Sequence, residues 1–308
     1  MSLRGAVVGV GYLGQFHAQK INAHAEAELV GVCDFSLVQA EKVAAELKTQ
    51  AFKKPEDLFG KIDFVHIAAS TQSHYDLAVL FLGQKIPVLV EKPIAATIAQ
   101  AEKLCELSEK NNTLLSVGHI ERFNPTFKYL KEKCQGISYL EINRLAPFRT
   151  RGSDVSVLHD LTIHDIDLAS WIFNSAIRSF EIIGKKLIKN TFDDVSVRLK
   201  LENGSQVTIN NSRIMPQIVR NYRAVCSDKV VYMNTATLEG EILWPEAQEP
   251  FFRSEFLKIE KVDALALEVD HFIQCVQGKK NPAITAKEAT AALQNVENFV
   301  AALERMQN

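Results

Sequence analysis

Short apolar runs and amphipathic stretches alternate along the first 120 residues of the chain. The apolar runs are continuous and rich in β-branched residues, which is typical of strands buried on both faces, and they cover 6–10, 29–33, 62–68, 86–90 and 114–118. The stretches between them carry apolar residues at helical spacing, over 12–24, 37–47, 72–82 and 97–112. This unbroken alternation predicts an α/β fold, a doubly wound parallel sheet with right-handed crossovers.

The hydrophobic pattern changes near His119. From Gly136 onward apolar and polar residues alternate with a period of two, and Asn203-Gly204 has the sequence of a tight hairpin turn. Strands are predicted over 138–145, 178–188, 195–201, 206–212, 220–226, 230–234, 238–243 and 256–260. Helices are predicted over 161–173, 262–276 and 286–306. This part of the chain therefore predicts an α+β domain with an open, mainly antiparallel sheet.

A glycine-rich turn joins the first predicted strand to the first predicted helix. Gly9, Gly11 and Gly14 stand in the spacing G-x-G-x-x-G, with Tyr12 and Leu13 in the same turn. The first glycine permits the tight turn, the second lets a pyrophosphate approach the backbone, and the third lets the helix pack closely on the strand. The N–H groups at the helix start hold phosphate charge. The turn therefore predicts a dinucleotide-binding site.

An acidic residue, Asp34, ends the second predicted strand. It lies about twenty residues beyond the turn, where a carboxylate accepts the ribose hydroxyls of a bound adenosine. The same carboxylate repels a 2′-phosphate, and neither Phe35 nor Ser36 is an arginine that would attract one. An ordinary strand–helix turn with a surface aspartate is the alternative interpretation, although strand, turn, helix, strand and acid all occur in order. The pattern favours NAD over NADP as the cofactor.

The two patterns divide the chain into two predicted domains. Residues 1–120 are expected to form an NAD-binding Rossmann domain, and residues 121–308 an α+β domain for substrate binding and oligomerisation. Packing of the last helix against the first domain is an alternative arrangement. Val195–Leu201 alternates apolar residues with Ser196, Arg198 and Lys200, so that one face of the sheet stays available to a partner. We therefore predict a homodimer or a homotetramer.

Composition and charge narrow the classes of function. The 308 residues are 47% hydrophobic and 23% charged, values typical of a soluble globular protein. The net charge of −2 argues against a nucleic-acid partner. The five cysteines are scattered and form no C-x-x-C pair, which indicates a reduced, cytoplasmic protein. Neither a signal peptide nor a membrane-spanning stretch is recognised, so no membrane partner is expected.

Glu91, Lys92 and Pro93 follow a predicted strand at its carboxyl end, the edge at which ligands bind in open α/β sheets. A lysine at this edge binds a substrate oxygen and favours negative charge that develops on it. A charged loop without a chemical role is an equally good interpretation of the tripeptide taken alone. Beyond the glycine-rich turn, the residues predicted to contact the cofactor are Asp34, Ser70, Thr71, His74, Glu91 and Lys92.

The densest polar cluster, HDLTIHDID over 159–167, overlaps the start of a predicted amphipathic helix. Asp160 and His164 are spaced i, i+4 and share one face of that helix. A carboxylate beside an imidazole orients it and raises its basicity, which suits a base that takes a proton from an alcohol. Two alternatives are a metal site, for which no second His/Cys cluster supplies further ligands, and a capped helix start with solvated charges. We predict an acid–base pair and no metal.

The segment HIERFNP, His119–Pro125, follows the last strand of the first predicted domain, on the ligand side of the sheet. Arg122 is a candidate to pair with a phosphate or sugar oxygen in a forked geometry. His66 lies inside an apolar strand, and we interpret it as a core histidine whose ring is hydrogen-bonded.

Taken together, these motifs resemble the glucose–fructose oxidoreductase/inositol dehydrogenase/MocA family over nearly the whole chain. The matching pieces are GVGYLG at 9–14, Asp34, AAST-x-x-H at 68–74, EKP at 91–93 and D-x-x-x-H at 160–164. The resemblance implies NAD(P)-dependent oxidation or reduction of a sugar or cyclitol carbon. It further implies that Lys92 and His164 flank the reacting hydroxyl with Asp160 in support, and that the sheet of the second domain mediates dimers or tetramers.

Three longer segments are similar to the branch of this family that contains UDP-N-acetylglucosamine 3-dehydrogenases. They are VGYLGQFHAQK (10–20), GHIERFNP (118–125) and DVSVLHDLTIHDID (154–167). This similarity implies a 3-keto sugar that a partner aminotransferase consumes in the synthesis of the lipid A part of lipopolysaccharide. A sugar nucleotide needs cationic groups near its diphosphate, and the candidates are Arg122, Arg144, Arg149 and Arg151.

The sequence therefore predicts an NAD-dependent dehydrogenase acting on a CH–OH group of a UDP-linked amino sugar, in which either His164 or Lys92 takes the hydroxyl proton. A dehydrogenase for a cyclitol or a free sugar is the first alternative. A non-catalytic NAD-binding regulator is the alternative from another class, and the joint presence of Lys92, Asp160 and His164 argues against it. The residues predicted to bind substrate are Lys92, His119, Arg122, Asn124, Arg151, Asp160 and His164.

Overall fold

A computed structural model describes residues 2–148, 155–188 and 190–307 of the chain. These residues form two compact units: Met1–Ile120 with Asp263–Leu293, and Glu121–Val262 with Gln294–Asn308. Residues 121–308 were predicted as one domain, with packing of the last helix on the first domain as an alternative. In the structure Asp263–Leu293 joins the first unit, because its helix packs its apolar side chains into the core there.

The first unit is built on a six-stranded parallel sheet in the order β3-β2-β1-β4-β5-β6. Its strands are β1 (Leu3–Val8), β2 (Ala27–Cys33), β3 (Gln50–Phe52), β4 (Phe64–Ile67), β5 (Val88–Glu91) and β6 (Leu115–Gly118). The predicted doubly wound sheet is confirmed, with the short edge strand β3 in addition. The strand order reverses between β1 and β4, and ligands of such sheets bind at the carboxyl ends of the strands at that point.

Helices cover both faces of this sheet. The helices of the whole chain are α1 (Gly14–Asn22), α2 (Leu37–Leu47), α3 (Thr71–Gly83), α4 (Ile98–Asn111), α5 (Pro125–Lys133), α6 (Ile163–Phe173), α7 (Ala264–Val276) and α8 (Ala286–Gln307). One core of the first unit includes side chains of α3, α4 and the start of α8, and the other includes side chains of α1, α2 and α7. The β-strands between the two cores are buried on both faces, which explains their continuous apolar sequences.

The second unit contains an eight-stranded sheet in the order β14-β13-β12-β11-β7-β10-β9-β8. Its strands are β7 (Tyr139–Leu145), β8 (Ile177–Lys185), β9 (Asp194–Leu201), β10 (Gln206–Ser212), β11 (Val219–Val225), β12 (Val230–Asn234), β13 (Glu239–Pro245) and β14 (Phe252–Lys258). The predicted mainly antiparallel sheet is confirmed. One pair, β7 with β10, is parallel. The long connection between them, through α6, β8 and β9, makes that pairing sterically accessible.

The two faces of this second sheet differ in chemistry. On β9 the side chains of Val195, Val197 and Leu199 are buried, whereas the intervening positions face outward. A ladder of hydrogen bonds crosses the outer face over five strands. Its members are Ser196, Asn210, Asn143, Asn221 and Tyr232, joined by distances of 2.7, 2.8, 2.9 and 3.0 Å.

Among the described helices, none combines the length and the apolar character that crossing a membrane requires.

Candidate active site and cofactor groove

The glycine-rich turn connects β1 to α1, and its backbone leaves no room for side chains at two positions. Gly9 has a φ of +85°, and a Cβ there would lie 2.5 Å from the backbone of Ala69. A Cβ on Gly14 would lie 1.8 Å from the carbonyl oxygen of Gly9. The first and third glycines therefore let the turn pass close to the loop after β4 and let α1 start directly beside it.

Gly11 differs from its two neighbours, because a Cβ at this position would meet no atom of the described residues within 4 Å. It borders a groove of about 510 Å³ at the carboxyl ends of β1, β2 and β4. Leu13 stands at the N-cap of α1 and has no side-chain atom that accepts hydrogen bonds. The N–H groups of Gln15 and Phe16, in the first turn, donate to the carbonyl oxygens of Gly11 and Leu13 at 3.2 and 2.9 Å. The open side of the turn fits the diphosphate of a dinucleotide.

The groove is lined by four of the predicted cofactor residues. Its lining consists of Val8, Gly9, Gly11, Cys33, Asp34, Phe35, Lys53, Pro55, Ala68, Ala69, Ser70, Ser73, Asp76 and Leu77. Lys53, Pro55, Ser73 and Asp76 were not predicted. Lys53 and Pro55 carry no motif, Ser73 occupies an unspecified position of the AAST-x-x-H pattern, and Asp76 lies beyond that pattern in α3. The other seven predicted cofactor residues lie outside this lining: Tyr12, Leu13, Gly14, Thr71, His74, Glu91 and Lys92.

Asp34 follows β2 and is half-buried at the groove. One carboxylate oxygen accepts a hydrogen bond from the N–H of Val10 at 2.8 Å, and the other accepts from the N–H of Ser36 at 2.9 Å. These bonds fix the carboxylate at the position where a ribose would bind and tie the glycine-rich turn to the end of β2. The nearby Phe35 side chain is fully exposed and offers an apolar surface to an adenine ring.

Replacing Asp34 with asparagine is expected to narrow the preference for NAD over NADP. A carboxylate facing a 2′-phosphate is a like-charge contact, on the order of 1–4 kcal/mol at surface dielectric constants, or about tenfold or more in Kd. Asparagine retains an acceptor for the N–H of Val10. Titrations of both dinucleotides into wild type and D34N measure the change, and equal wild-type affinities would show that the assignment of Asp34 is wrong.

His74 in α3 links the loops that follow β4 and β5. Its Nδ1 lies 2.8 Å from the carbonyl oxygen of Pro93, and its Nε2 lies 3.1 Å from that of Ala69. Burial lowers the pKa of His74, although both backbone hydrogen bonds oppose this effect. The neutral ring donates to one carbonyl at a time, since carbonyls only accept. We interpret His74 as the residue that holds the two loops together.

Glu91 and Lys92 are consecutive, but their side chains differ in burial. Glu91 is buried, and its Oε1 lies 2.9 Å from Nε2 of His17 in α1. Lys92, the next residue, is half-buried. A Cβ on Gly118 of β6 would meet the Glu91 carboxylate at 2.6 Å, so that strand too is shaped around it. The structure thus places Glu91 in the interior of the first unit and away from the groove lining.

In the second unit, Asp160 and His164 lie in consecutive turns. Asp160 belongs to one turn of π-helix, Leu158–Thr162, and His164 to the first turn of α6. Both residues are half-buried. Single π-turns of this kind are frequent at functional sites, because they change the direction in which side chains project from a helix. The predicted i, i+4 pair is therefore carried on a helix start with irregular geometry.

Two other carboxylates of the same motif are buried in ion pairs that the sequence analysis did not foresee. Asp167 holds Arg122 through two bonds of 2.6 and 2.9 Å. Asp165 holds Arg144 at 2.7 Å, and Arg144 also donates to Glu121 at 2.7 Å. Because these guanidinium groups are buried and matched by carboxylates, we interpret Arg122 and Arg144 as structural residues of the second unit.

The remaining predicted substrate residues have different positions. His119 is buried at the end of β6. Asn124 is the N-cap of α5, where its side-chain oxygen accepts a hydrogen bond from the N–H of Thr126 at 3.1 Å. Arg149 and Arg151 lie outside the described residues.

The fold and the glycine-rich groove define a dinucleotide-binding oxidoreductase of the Rossmann type. Residues 3–119 match the oxidoreductase family with an NAD-binding Rossmann fold, and residues 141–231 match the GFO/IDH/MocA C-terminal domain. The chain belongs to the Gfo/Idh/MocA family of oxidoreductases, and it binds NAD.

Known relatives include dehydrogenases for two kinds of substrate. UDP-N-acetylglucosamine 3-dehydrogenase from Acidithiobacillus ferrooxidans is 31% identical over 279 residues, which cover 89% of this chain and 88% of that protein. A solved structure of this enzyme superposes with a TM-score of 0.94 at 29% identity, over 99% of this chain and 98% of that one. Myo-inositol 2-dehydrogenase from Thermotoga maritima is 25% identical over 317 residues, 94% of this chain and 93% of that protein.

Proposed function

We propose that the protein is an NAD-dependent dehydrogenase that oxidises the C3 hydroxyl of UDP-N-acetylglucosamine or a closely related UDP-amino sugar. The observation that carries the proposal is the full-length similarity, in sequence and in structure, to a UDP-N-acetylglucosamine 3-dehydrogenase. Oxidation of a cyclitol is the second candidate, because a myo-inositol 2-dehydrogenase is similar over nearly the same length.

The proposed chemistry removes the two hydrogens of the CH–OH group separately: the hydride leaves the carbon and the proton leaves the oxygen. When bound, NAD supplies the acceptor for the hydride that leaves the carbon as its bond to oxygen becomes double. His164 takes the hydroxyl proton, and Asp160 orients the imidazole and favours its protonated form. Lys92 donates a hydrogen bond to the same oxygen and stabilises the negative charge that develops there.

The diphosphate of a UDP-sugar needs cationic partners in this proposal. Arg122 and Arg144 are already paired with Asp167 and Asp165. We therefore assign the diphosphate to Arg149 and Arg151, which follow β7 in the sequence. Replacing these two arginines would then raise the KM for a UDP-sugar and leave the KM for a free cyclitol unchanged.

A substrate panel tests the proposal directly. Formation of NADH is measured with UDP-N-acetylglucosamine, UDP-N-acetylgalactosamine, UDP-glucose, free N-acetylglucosamine and the inositols. We expect the highest kcat/KM with UDP-N-acetylglucosamine and a product that has lost two hydrogens at C3. A higher kcat/KM with an inositol would establish the second candidate, and no turnover with any member would favour a non-catalytic NAD-binding regulator.

The proposal includes a place for the product. A 3-keto sugar is the substrate class of an aminotransferase, and we propose such an enzyme as the partner in the synthesis of lipid A for lipopolysaccharide.

All five cysteines are free thiols in the structure, which is in keeping with a reducing compartment and with the proposed cytoplasmic location.

We expect the protein to assemble as a homodimer or homotetramer through the outer face of the second sheet. Ile183 of β8 is 71% exposed and lies opposite Ser196, the residue at which the ladder of hydrogen bonds on the outer face begins. Light scattering at micromolar concentration should show a dimer or tetramer for wild type. Ile183→Asp should shift the protein toward the monomer, whereas Met306→Asp, at an apolar position on α8 that is 66% exposed, should not. A monomeric wild type would contradict this prediction.

A further inference from the structure

Four titratable side chains meet in the interior of the first unit, below the end of β5. They are His17 of α1, His66 of β4, Glu91 of β5 and Glu268 of α7, and all four are buried. His17 contacts two of the other three, because its Nε2 lies 2.9 Å from Glu91 Oε1 and its Nδ1 lies 3.1 Å from His66 Nδ1. The groove lining includes none of the four.

Glu268 is the member of this cluster whose charge is not matched. It is 2% exposed, and neither carboxylate oxygen has a hydrogen-bonding partner among the described residues. One of its oxygens lies within 4.8 Å of both the Glu91 carboxylate and the His17 ring nitrogen. An ionised carboxylate is very unfavourable in such a place, and a buried acid in this situation keeps its proton instead.

The surroundings of the two carboxyl groups decide which of them holds a proton. Burial opposes ionisation of Glu91, but its hydrogen bond to His17 and the charges of His17 and Lys92 lower its pKa. For Glu268, burial and then the negative charge of Glu91 both raise the pKa well above its ordinary value. Two carboxyl groups this close do not both ionise in the interior, so one proton remains in the pair.

We infer that Glu268 is a buried carboxylic acid that keeps its proton at neutral pH, shares it with the Glu91 carboxylate, and thereby positions Lys92 for the reaction. The O–H of Glu268 reaches Glu91 across at most 4.8 Å, after a small rotation of either side chain or through one bridging water. This inference rests on the role proposed for Lys92.

The link from Glu268 to Lys92 runs through the backbone. Glu91 and Lys92 are consecutive, so anchoring the Glu91 carboxylate fixes the peptide from which Lys92 extends. His17 anchors that carboxylate at one oxygen, and Glu268 supplies a second anchor from α7. Glu268 is therefore a positioning residue, which acts on Lys92 through Glu91.

Two variants distinguish a role of Glu268 as a neutral hydrogen-bond donor from a role as an ionised carboxylate. Glu268→Gln keeps a neutral group that donates a hydrogen bond, and Glu268→Met keeps the length of the side chain without the donor. We expect E268Q to retain the wild-type kcat, and E268M to lose about tenfold to a hundredfold in kcat with an unchanged Kd for NAD. Loss of activity in E268Q as large as in E268M would show that Glu268 acts as a carboxylate and overturn the inference.

The protonation state is measured independently of turnover. Infrared spectra of the NAD-bound protein at neutral pH should show a protonated-carboxyl band that is missing in E268Q. Because the folded protein holds this proton more tightly than the unfolded chain, wild type should lose stability relative to E268Q as the pH rises above about 4.5. The change is at most about tenfold per pH unit in the unfolding equilibrium constant for one proton.

The outcomes distinguish this inference from the proposed function. Absence of turnover in wild type would remove the proposed function, whereas the infrared band would still decide whether Glu268 is protonated. Normal kcat in both variants would show that Glu268 positions nothing while the enzyme's function stands. A stoichiometric divalent metal in purified wild type, lost in E268Q, would show that the cluster binds a cation and overturn the inference.

Discussion

Replacing His164 with alanine is expected to lower kcat by about 10²- to 10⁴-fold, the range that a positioned acid–base group contributes. His164 lies in the first turn of α6, directly after the π-turn that carries Asp160. The Kd for NAD should stay near the wild-type value, because the cofactor groove is lined by residues of the first unit. Steady-state NADH formation and an equilibrium titration of NAD measure the two effects separately.

Further variants and a chelator test whether the loss of kcat in His164→Ala comes from lost proton transfer or from changes in polarity, folding or metal binding. His164→Asn retains a polar side chain without a titratable group and should be as slow as the alanine variant. Lys92→Met should also lower kcat more than cofactor affinity. Both His164 and Lys92 are half-buried, so these variants should fold. Near-wild-type turnover in His164→Ala, or loss of wild-type activity in EDTA, would refute the acid–base role.

The fold of the first unit was predictable because its signals are local. Each strand buried on both faces shows as a continuous apolar run, and each helix is bounded by residues that stop or cap it, as Ser36 and Thr97 do for α2 and α4. The glycine spacing likewise reports on backbone geometry within a few residues. β3 was missed because three residues, Gln50–Phe52, are too short for a periodic pattern.

The ion pairs of the second unit were not predictable from the sequence. Arg122 and Asp167 are 45 positions apart, and Arg144 and Asp165 are 21 apart. A single sequence shows that an arginine is present but not whether a carboxylate from another element reaches it. Arg122 therefore looked like a ligand for a phosphate, whereas the fold buries it beside Asp167. Partner choice over such separations is decided by tertiary packing.

The position of Glu268 in the sequence of α7 is unusual, and this could have identified it as a candidate functional residue. The apolar stripe of α7 consists of Leu265, Val269, Phe272 and Ile273, all buried. Glu268 lies on that stripe, three residues after Leu265 and four before Phe272. A carboxylate on the buried face of an amphipathic helix conflicts with the helix pattern, and such conflicts are expected at functional sites. His66, interpreted as a hydrogen-bonded core histidine, contacts His17 through Nδ1.

Substitution of the glycines should separate cofactor binding from folding. Gly11→Ala is expected to leave the thermal stability of the protein unchanged, because its Cβ would meet no described atom within 4 Å. The same methyl group would stand where the diphosphate approaches the backbone. Loss of one hydrogen bond to a charged group is worth about 1.5–3 kcal/mol, so the Kd for NAD should rise by roughly 10- to 100-fold.

Gly14→Ala is the matched variant with the opposite mechanism. Its Cβ would lie 1.8 Å from the carbonyl oxygen of Gly9, a backbone atom that moves only if α1 shifts away from β1. Overpacking of this kind typically costs about 1–3 kcal/mol, so this variant should unfold at a lower temperature as well as bind NAD poorly. Thermal unfolding without cofactor, followed by NAD titration of the folded variants, measures both effects. Equal loss of stability in Gly11→Ala would show that the second glycine serves the fold and not the cofactor.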